Sequence, residues 1–281
     1  MSVKASIISP CYNHGKYIQE MLDSVLNQTF KDFEVIIVND GSTDDTKEIL
    51  TKIKHEKVKI FHTENHGPAK ARNHAIKHAR GEIIMNLDAD DKIAPTFLEK
   101  CISVFDEKHN VGIVYSDVEF FGGKTGLFEL KEATIQNMLY ENRIVANACF
   151  RKFDWKIIAG YSSELIYGLE DYDFWLSIIE LGRDVYKIEE PLVFYRAYAN
   201  PADSRSEDRK RDQTKVYFEM LQIFRRHENL YKKYPDIWGY FITIENKFYL
   251  HLKSVNPELV SQYFRLKGKK RLLKYSLNLY T

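Results

Sequence analysis

Residues 82–91 read EIIMNLDADD, an apolar run that ends in a cluster of acidic side chains. The first six residues have the composition of a buried β-strand. Three carboxylates, those of Asp88, Asp90 and Asp91, therefore crowd together where this strand leaves the core. Crowded carboxylates repel each other, and a bound cation relieves that repulsion. Mg²⁺ and Mn²⁺ prefer such oxygen ligands together with waters and a phosphate. The stretch predicts either a metal–diphosphate site or a solvated acidic turn.

Apolar runs alternate with helical patterns in the part of the chain before this stretch. Predicted strands cover 3–9, 33–38, 58–62 and 82–87, and predicted helices cover 17–27, 42–54 and 68–79, the second of them opened by a capping box at 42–45. Such alternation requires right-handed crossovers, and it predicts an α/β fold with a mostly parallel central sheet and helices on both faces. Ligands of such sheets bind beyond the carboxyl ends of the strands. We therefore expect the loops 10–15, 39–42 and 88–91 to converge.

The pattern becomes more varied after the acidic stretch. Helices are predicted at 95–106, 131–142, 154–159 and 168–181, strands at 112–121, 146–150, 185–188 and 192–196, and a hairpin or flexible turn at 122–126. A polar loop follows at 199–206. From about residue 208, helical apolar spacing mixes with aromatic and basic residues. We expect a catalytic domain at 1–206 and a helical C-terminal extension at 207–281.

Composition narrows the class of protein. The chain has 281 residues, 44% hydrophobic residues and a formal net charge of +1, so it can bury a large core and gives no general case for nucleic-acid binding. Cys11, Cys101 and Cys149 show neither a disulfide framework nor zinc spacing, as expected in a reducing compartment. Neither a signal peptide nor a membrane span is evident, which favours a cytoplasmic protein. The basic segment 264–274 could lie on the inner face of a membrane, or the extension could cap the catalytic domain or form a homodimer contact.

Five segments occur in an order that resembles the family 2 glycosyltransferases of the GT-A fold. They are SPCYN at 9–13, VNDGSTD at 38–44, NHGPAKARN at 65–73, LDADD at 87–91 and EDYDFW at 170–175. The resemblance covers about residues 3–206. It implies a nucleotide-sugar donor, most often a UDP-sugar, a Mg²⁺ or Mn²⁺ cofactor, and inversion at the anomeric carbon.

The resemblance also implies roles for residues around the donor. The expected nucleotide contacts are Pro10, Tyr12, Asn13, Asp40, Arg72, Asp88 and Ala89, with Asp40 at the uracil ring and Asp88 near the ribose. Asp90 would hold the metal, with Asp91 as its supporting partner. Each assignment has a simpler alternative: Tyr12 could cover the sheet end, Asp40 suits a turn, and Arg72 could be a solvated helix residue.

The segment at 170–175 carries the expected catalytic groups. By resemblance, Asp171 is the base that accepts the proton of the acceptor hydroxyl, with Glu170 beside it. The same carboxylates would also complement the dipole at a helix N-terminus. Trp175, one turn further on, could line the sugar site or belong to the core.

One position departs from the family pattern. Family members commonly carry a histidine two positions after a Tyr-Arg pair, near the metal or the diphosphate, whereas this chain has Tyr198 there. A phenol can donate a hydrogen bond to phosphate but is a poor neutral metal ligand. Arg196 and Arg205 could neutralise the diphosphate.

Together these features predict an inverting, metal-dependent glycosyltransferase. It would move a sugar to a hydroxyl of a glycan or lipid-linked glycan, as in cell-surface polysaccharide synthesis. A sugar nucleotidyltransferase would need a glycine-rich, lysine-bearing loop where residues 10–13 read PCYN, and a dinucleotide oxidoreductase would need Gly-x-Gly-x-x-Gly. A non-catalytic carbohydrate-binding protein would not need Asp90 and Asp171 together. The sequence names neither the sugar nor the acceptor.

Overall fold

The computed structural model describes residues 3–200, 213–255 and 258. Their contacts divide them into two compact units. The first contains residues 3–166 and 170–200, and the second contains residues 167–169 together with the described residues from 213 onward. The predicted helical C-terminal segment is present. The assignment of 1–206 and 207–281 as functional domains stays a prediction.

The first unit contains a sheet of nine strands among its described residues. The strands are β1 Ala5–Cys11, β2 Phe33–Asp40, β3 Val58–Thr63, β4 Ile83–Asn86, β5 Lys92–Ile93, β6 Val111–Gly122, β7 Gly126–Phe128, β8 Cys149–Arg151 and β9 Asp184–Ala197. The helices are α1 Gly15–Leu26, α2 Thr46–Lys52, α3 Pro68–His78, α4 Phe97–Glu107, α5 Ile135–Tyr140, α6 Lys152–Ile157 and α7 Glu170–Glu180.

The strand order is β3-β2-β1-β4-β8-β6-β9-β5, with β7 beside β6. The first four strands are parallel, so the predicted α/β sheet is confirmed in this half. Beyond β4 the sheet is mixed, because β8 runs antiparallel to both β4 and β6 and β5 runs antiparallel to β9. The carboxyl ends of β1, β2 and β4 therefore share one edge, which brings the three predicted loops to the same side.

The parallel strands β1, β2 and β4 are rich in apolar residues because both of their faces are covered, whereas the edge strand β3 is only partly buried. Ile7, Ile8, Ile36, Ile37 and Ile84 are completely buried. The three cysteines are also buried, as free thiols. Periodicity of two would have been expected only if one face of these strands met water.

Several predicted elements after β6 differ in extent from the structure; the strand predicted at 146–150 is the shorter β8 and the helix predicted at 154–159 is α6. The strands predicted at 185–188 and 192–196 are one strand, β9, because its parallel pairing with β6 continues past Pro191 through shifts in register around Asp117. The helix predicted at 131–142 is confined to α5. It begins after Thr134, whose hydroxyl accepts a hydrogen bond from the Asn137 backbone N–H at 3.1 Å and so caps the helix.

The second unit contains the helices α8 Gln213–Arg226, α9 Glu228–Tyr231 and α10 Pro235–Val255. Aromatic packing holds them together: the ring of Phe224 lies 5.0 Å from that of Tyr231 and 5.2 Å from those of Trp238 and Phe241. Across the described parts of the chain, no helix is both long enough and apolar enough to span a bilayer. The basic segment 264–274 lies outside the described residues.

Glu34 is a buried carboxylate at the start of β2, with 1% of its surface exposed. It accepts hydrogen bonds from the Ser6 hydroxyl at 2.9 Å, the Lys59 ammonium at 2.9 Å, and the Arg80 backbone N–H and Nε at 2.6 and 2.9 Å. Burial by itself raises the pKa of Glu34, but these hydrogen bonds outweigh burial and hold the pKa below its ordinary value.

We expect Glu34→Gln to lower the free energy of unfolding by about 1–3 kcal/mol at neutral pH, because it weakens charge-assisted hydrogen bonds. The folded-state pKa of Glu34 is depressed, so its stabilisation is complete above the ordinary value of 4.5 and is lost as the pH falls through the folded pKa. Urea denaturation of both proteins between pH 3 and 7 measures this. A difference that did not shrink in acid would contradict the role given to the ionised carboxylate.

Candidate functional site

The loops that follow β1 and β2 are joined by hydrogen bonds. The backbone N–H of Asn13 donates to the Ser42 hydroxyl at 2.9 Å, and its side-chain oxygen accepts from the Thr43 N–H at 2.8 Å. Ser42 and Thr43 are therefore used in this contact, and the predicted capping box at 42–45 does not form. Instead α2 begins at Thr46, whose N–H donates to Asp44 at 3.0 Å. These hydrogen bonds hold the loops after β1 and β2 together.

Asp40 organises the loop before α3. One carboxylate oxygen accepts from the His66 N–H at 3.0 Å and the other from the Gly67 N–H at 2.8 Å, and the residue is 4% exposed. The turn beyond it needs glycine: Gly41 has φ +69°, and a Cβ there would lie 2.5 Å from the Asn65 backbone nitrogen. The observed contacts are those of a turn residue. The expected uracil contact of Asp40 stays a prediction.

The other residues expected around the nucleotide differ in exposure. Tyr12 is 43% exposed, so its ring is available for stacking on a base. Pro10 lies within β1 and is partly buried. Ala89 is completely buried between the acidic residues, so only its backbone could meet a ligand.

Arg72 connects the two acidic segments of the chain. Its Nη2 donates to Asp88 Oδ1 at 2.9 Å, its Nη1 to Glu170 Oε1 at 2.7 Å and its Nε to Asn86 Oδ1 at 3.0 Å. The side chain is 4% exposed. Burial alone would lower the pKa of Arg72, but the carboxylates of Asp88 and Glu170 raise it, so the guanidinium stays charged. Arg72 is thus an internal ion-pair centre and not a solvated helix residue.

Asp91 supports the loop between β4 and β5. Its two oxygens accept from the side-chain amide of Asn147 at 2.5 Å and from the Arg196 backbone N–H at 2.7 Å. Asn147 also accepts from the Asp88 N–H at 2.9 Å. Burial raises the pKa of Asp91, and the neighbouring charges of Asp90 and Asp88 raise it further. Asp91 is 2% exposed, so it shapes the loop and presents little surface to a ligand.

Asp90 has a partly open carboxylate with 14% of the side chain exposed. Its Oδ2 accepts a hydrogen bond from the Tyr198 hydroxyl. Burial raises the pKa of the Tyr198 phenol, and the Asp90 charge raises it further, so the phenol keeps its proton. Close by, His14 places Nδ1 3.9 Å from Asp90 Oδ1. Tyr198 therefore contacts the predicted metal residue itself.

Arg196 does not offer a free charge to a diphosphate. Its Nε donates to the Asp90 carbonyl at 2.8 Å and its Nη2 pairs with Glu20. The guanidinium also lies 4.2 Å from the ring centre of Tyr17 and 4.3 Å from that of Phe121. Arg196 thus fixes the loop through its backbone and side chain, and its expected diphosphate contact stays a prediction. Arg205 lies outside the described residues.

Asp171 is half-buried in the first turn of α7, next to the Glu170 held by Arg72. Its Oδ2 accepts from the Asn142 side-chain amide at 3.3 Å. Trp175 is completely buried, and its ring lies 5.8 Å from Phe150 and 5.2 Å from Phe174. Trp175 therefore packs in the aromatic core, and its expected sugar contact stays a prediction.

The residues fit a cation that also binds a diphosphate. No group of three or more His, Cys, Asp or Glu side chains suited to a metal occurs among residues 3–200 or 213–255. A Mg²⁺ or Mn²⁺ ion bound to phosphates needs only one or two protein carboxylates, because waters and phosphate oxygens complete its coordination. Asp90 supplies one such carboxylate, and its Oδ1 faces the Nδ1 of His14.

Sequence reasoning missed three polar residues that shape this site. Asn86, the last residue of β4, accepts a hydrogen bond from Arg72. Asn147 accepts one from the Asp88 backbone and donates one to the Asp91 carboxylate. Both are polar residues inside apolar strand-like runs, which is a signal for a buried hydrogen-bonding role. His14 lies in the predicted loop 10–15. An imidazole at the same sheet edge as the carboxylates could have marked it as a site residue.

Comparison with known proteins gives an independent view of the chain. Residues 6–166 match the profile described as Glycosyl transferase family 2. A chondroitin synthase of Pasteurella multocida (strain Pm70) is 33% identical over 190 residues, which cover 63% of this chain and 19% of that protein. The chain therefore spans about a fifth of that relative's length.

Solved structures support the fold. S. aureus TarS 1–349 in complex with UDP superposes with a TM-score of 0.64 at 25% identity, covering 85% of this chain and 70% of that one. The mannosyltransferase PcManGT of Pyrobaculum calidifontis, in complex with GDP-Man and Mn²⁺, gives a TM-score of 0.60 at 18% identity, covering 99% and 84%. The second likeness concerns the fold alone. The GT-A architecture is thereby confirmed.

Proposed function

The chain belongs to Glycosyl transferase family 2, and we propose that it moves a sugar from a UDP-sugar to a hydroxyl of a glycan or lipid-linked glycan, with inversion and with Mg²⁺ or Mn²⁺. Three observations on relatives support the proposal. One relative is a chondroitin synthase, one solved neighbour holds UDP, and another holds Mn²⁺. The setting would be polysaccharide synthesis at the cytoplasmic face of a membrane.

The single observation that carries the proposal is the Arg72 centre. The buried guanidinium of Arg72 donates one hydrogen bond to Asp88 and another to Glu170. Asp88 is expected at the donor ribose and Glu170 beside the acceptor. Donor and acceptor groups must be held in fixed relative positions for a direct displacement, since positioning supplies much of the rate enhancement. Arg72 holds the segments 88–91 and 170–175 in fixed positions relative to each other, although they are far apart in the chain.

The reaction is a single displacement. The acceptor oxygen forms a bond to the anomeric carbon while the bond from that carbon to the diphosphate oxygen breaks, and UDP leaves with the electron pair. Asp171 takes the proton of the acceptor hydroxyl. When bound at Asp90, the divalent cation would act as a Lewis acid that stabilises the charge on the departing diphosphate. Tyr12 stacks on the base, and Asp88, held by Arg72 and Asn147, receives the ribose.

A panel of nucleotide sugars should give the largest metal-dependent thermal shift with the correct donor class. At 100 times its dissociation constant, a ligand that binds only the folded state adds about 2.7 kcal/mol of stability. We expect UDP and UDP-sugars, with Mn²⁺, to raise the Tm, and GDP-sugars to have a smaller effect. Differential scanning fluorimetry with and without a chelator measures this.

Asp90→Asn is the variant for the metal, because it removes one charge with little change in shape. We expect it to lose the Mn²⁺-dependent part of the shift and to keep the part given by UDP alone. Glu99→Gln, at an exposed carboxylate of α4, is the matched control. Failure of every UDP compound to stabilise the protein would reject the donor, and transfer that continued unchanged in excess chelator would reject the metal.

A further inference from the structure

The side chains of Asp90, Tyr198 and His14 lie together, and hydrogen bonds do not account for all of their polar atoms. The Tyr198 hydroxyl donates to Asp90 Oδ2, and His14 Nε2 lies 3.4 Å from the same hydroxyl. On the other side of the ring, His14 Nδ1 lies 3.9 Å from Asp90 Oδ1. Within the described part of the chain this Nδ1 is buried and has no hydrogen-bond partner. The three side chains come from the loop after β1, the loop after β4 and the end of β9.

The proton on Tyr198 fixes the orientation of the His14 ring. A hydroxyl has one proton to donate, and Tyr198 gives it to Asp90. The contact between Tyr198 and His14 is then satisfied when Nε2–H donates to the phenol oxygen. In that neutral tautomer Nδ1 carries a lone pair. The lone pair and the Asp90 carboxylate then face each other across 3.9 Å, and a cation between these two electron-rich atoms would satisfy both.

We propose that His14 Nδ1 is the second protein ligand, beside Asp90 Oδ1, of the divalent cation that accompanies the donor diphosphate. The proposal rests on the metal-dependent function given above. Metal–oxygen and metal–nitrogen bonds of about 2.1 Å place two ligands about 3 Å apart when adjacent and about 4.2 Å apart when opposite. The observed 3.9 Å lies between these two values, so ligation requires the two atoms to move apart by about 0.3 Å for the opposite arrangement, or together by about 0.9 Å for the adjacent one.

This ligand pair has a consequence for metal preference. Carboxylate oxygens suit Mg²⁺ and Mn²⁺ alike, whereas an imidazole nitrogen favours the transition metal. The site should therefore bind Mn²⁺ more tightly than Mg²⁺. Tyr198 also gains a role, because its hydroxyl orients the imidazole and occupies the second carboxylate oxygen, which leaves Oδ1 for the metal.

The wild-type protein with Mn²⁺ and UDP gives the most direct test. Pulsed electron paramagnetic resonance detects the coupling of Mn²⁺ to a directly bound nitrogen, which UDP phosphates and Asp90 cannot supply. We expect a ¹⁴N coupling that changes to the ¹⁵N pattern when histidine is labelled with ¹⁵N. This measurement needs no variant, so it does not depend on how a substitution folds.

Variants then identify the histidine. We expect His14→Gln to lose the nitrogen coupling and to bind Mn²⁺ about 10-fold or more weakly in the presence of UDP, with a smaller loss for Mg²⁺. His109→Ala, at an exposed histidine after α4, is the matched control and should leave both unchanged. In Tyr198→Phe the nitrogen coupling should persist with weaker Mn²⁺ binding, because the ring loses its orienting partner.

The outcomes separate this inference from the proposed function. Mn²⁺ bound with UDP but without nitrogen coupling would overturn the His14 ligand and leave metal-dependent transfer intact. An unchanged Mn²⁺ affinity in His14→Gln would do the same. A wild-type protein that binds UDP but no Mn²⁺ would overturn both.

Discussion

Asp171→Asn is expected to lower the rate of sugar transfer by about 10²- to 10⁴-fold while UDP binding stays unchanged. The amide keeps the size of the side chain and the position of α7, but it cannot take the proton of the acceptor hydroxyl. Asp171 is half-buried; its Oδ2 accepts from the Asn142 side-chain amide at 3.3 Å and its Oδ1 from the Tyr172 backbone N–H at 2.7 Å. Transfer of labelled sugar under saturating donor measures the effect, with UDP affinity determined in parallel by calorimetry.

Glu180→Gln is the control for this prediction, because it removes a carboxylate from the opposite end of the same helix. It should retain transfer. A folded Asp171→Asn protein with unchanged turnover would show that another group takes the proton. A protein that also lost UDP affinity would show that Asp171 acts on the donor side, and its assignment as the base would be wrong.

The strands that position the site could be predicted because they are buried on both faces. Residues 33–38 and 82–87 are mostly apolar runs, and the structure has β2 and β4 at these positions. The parallel order then places the loops after them at one edge, which is a consequence of topology and needs no side-chain detail. The β9 strand was predicted as two pieces because its pairing with β6 across Pro191 depends on register, which no local pattern contains.

Side-chain partners were less predictable than side-chain positions. The sequence indicated acidic residues at 88–91 and 170–171, but it could not show that one buried arginine binds both groups, since that requires contacts across 98 residues of chain. Arg196 illustrates the same limit. Its position at the site was expected, yet its charge is paired with Glu20 from α1, a helix with no acidic motif that pointed there.

Arg72→Met is expected to lower the free energy of unfolding by about 3–5 kcal/mol and to abolish transfer. Methionine nearly fills the volume of the arginine stem, so the loss arises from charge: Glu170, 4% exposed at its side chain, and Asp88 would keep their negative charges without a counter-ion. Urea denaturation gives the stability change. The sign follows from burial, because breaking a buried ion pair leaves an uncompensated charge, whereas an exposed pair contributes about 0–1 kcal/mol.

The comparison that isolates this effect uses a second arginine of the same unit. Arg80 binds the Glu34 carboxylate with a side chain that is 45% exposed, so Arg80→Met should cost only about 1 kcal/mol or less. Combining Arg72→Met with Glu170→Gln removes one of the two stranded charges, and should therefore recover part of the lost stability but none of the transfer activity. If Arg72→Met cost no more than Arg80→Met, the two acidic segments would be held together by packing alone. In that case the ion pairs of Arg72 would not be responsible for holding the donor side and the acceptor side of the site in position.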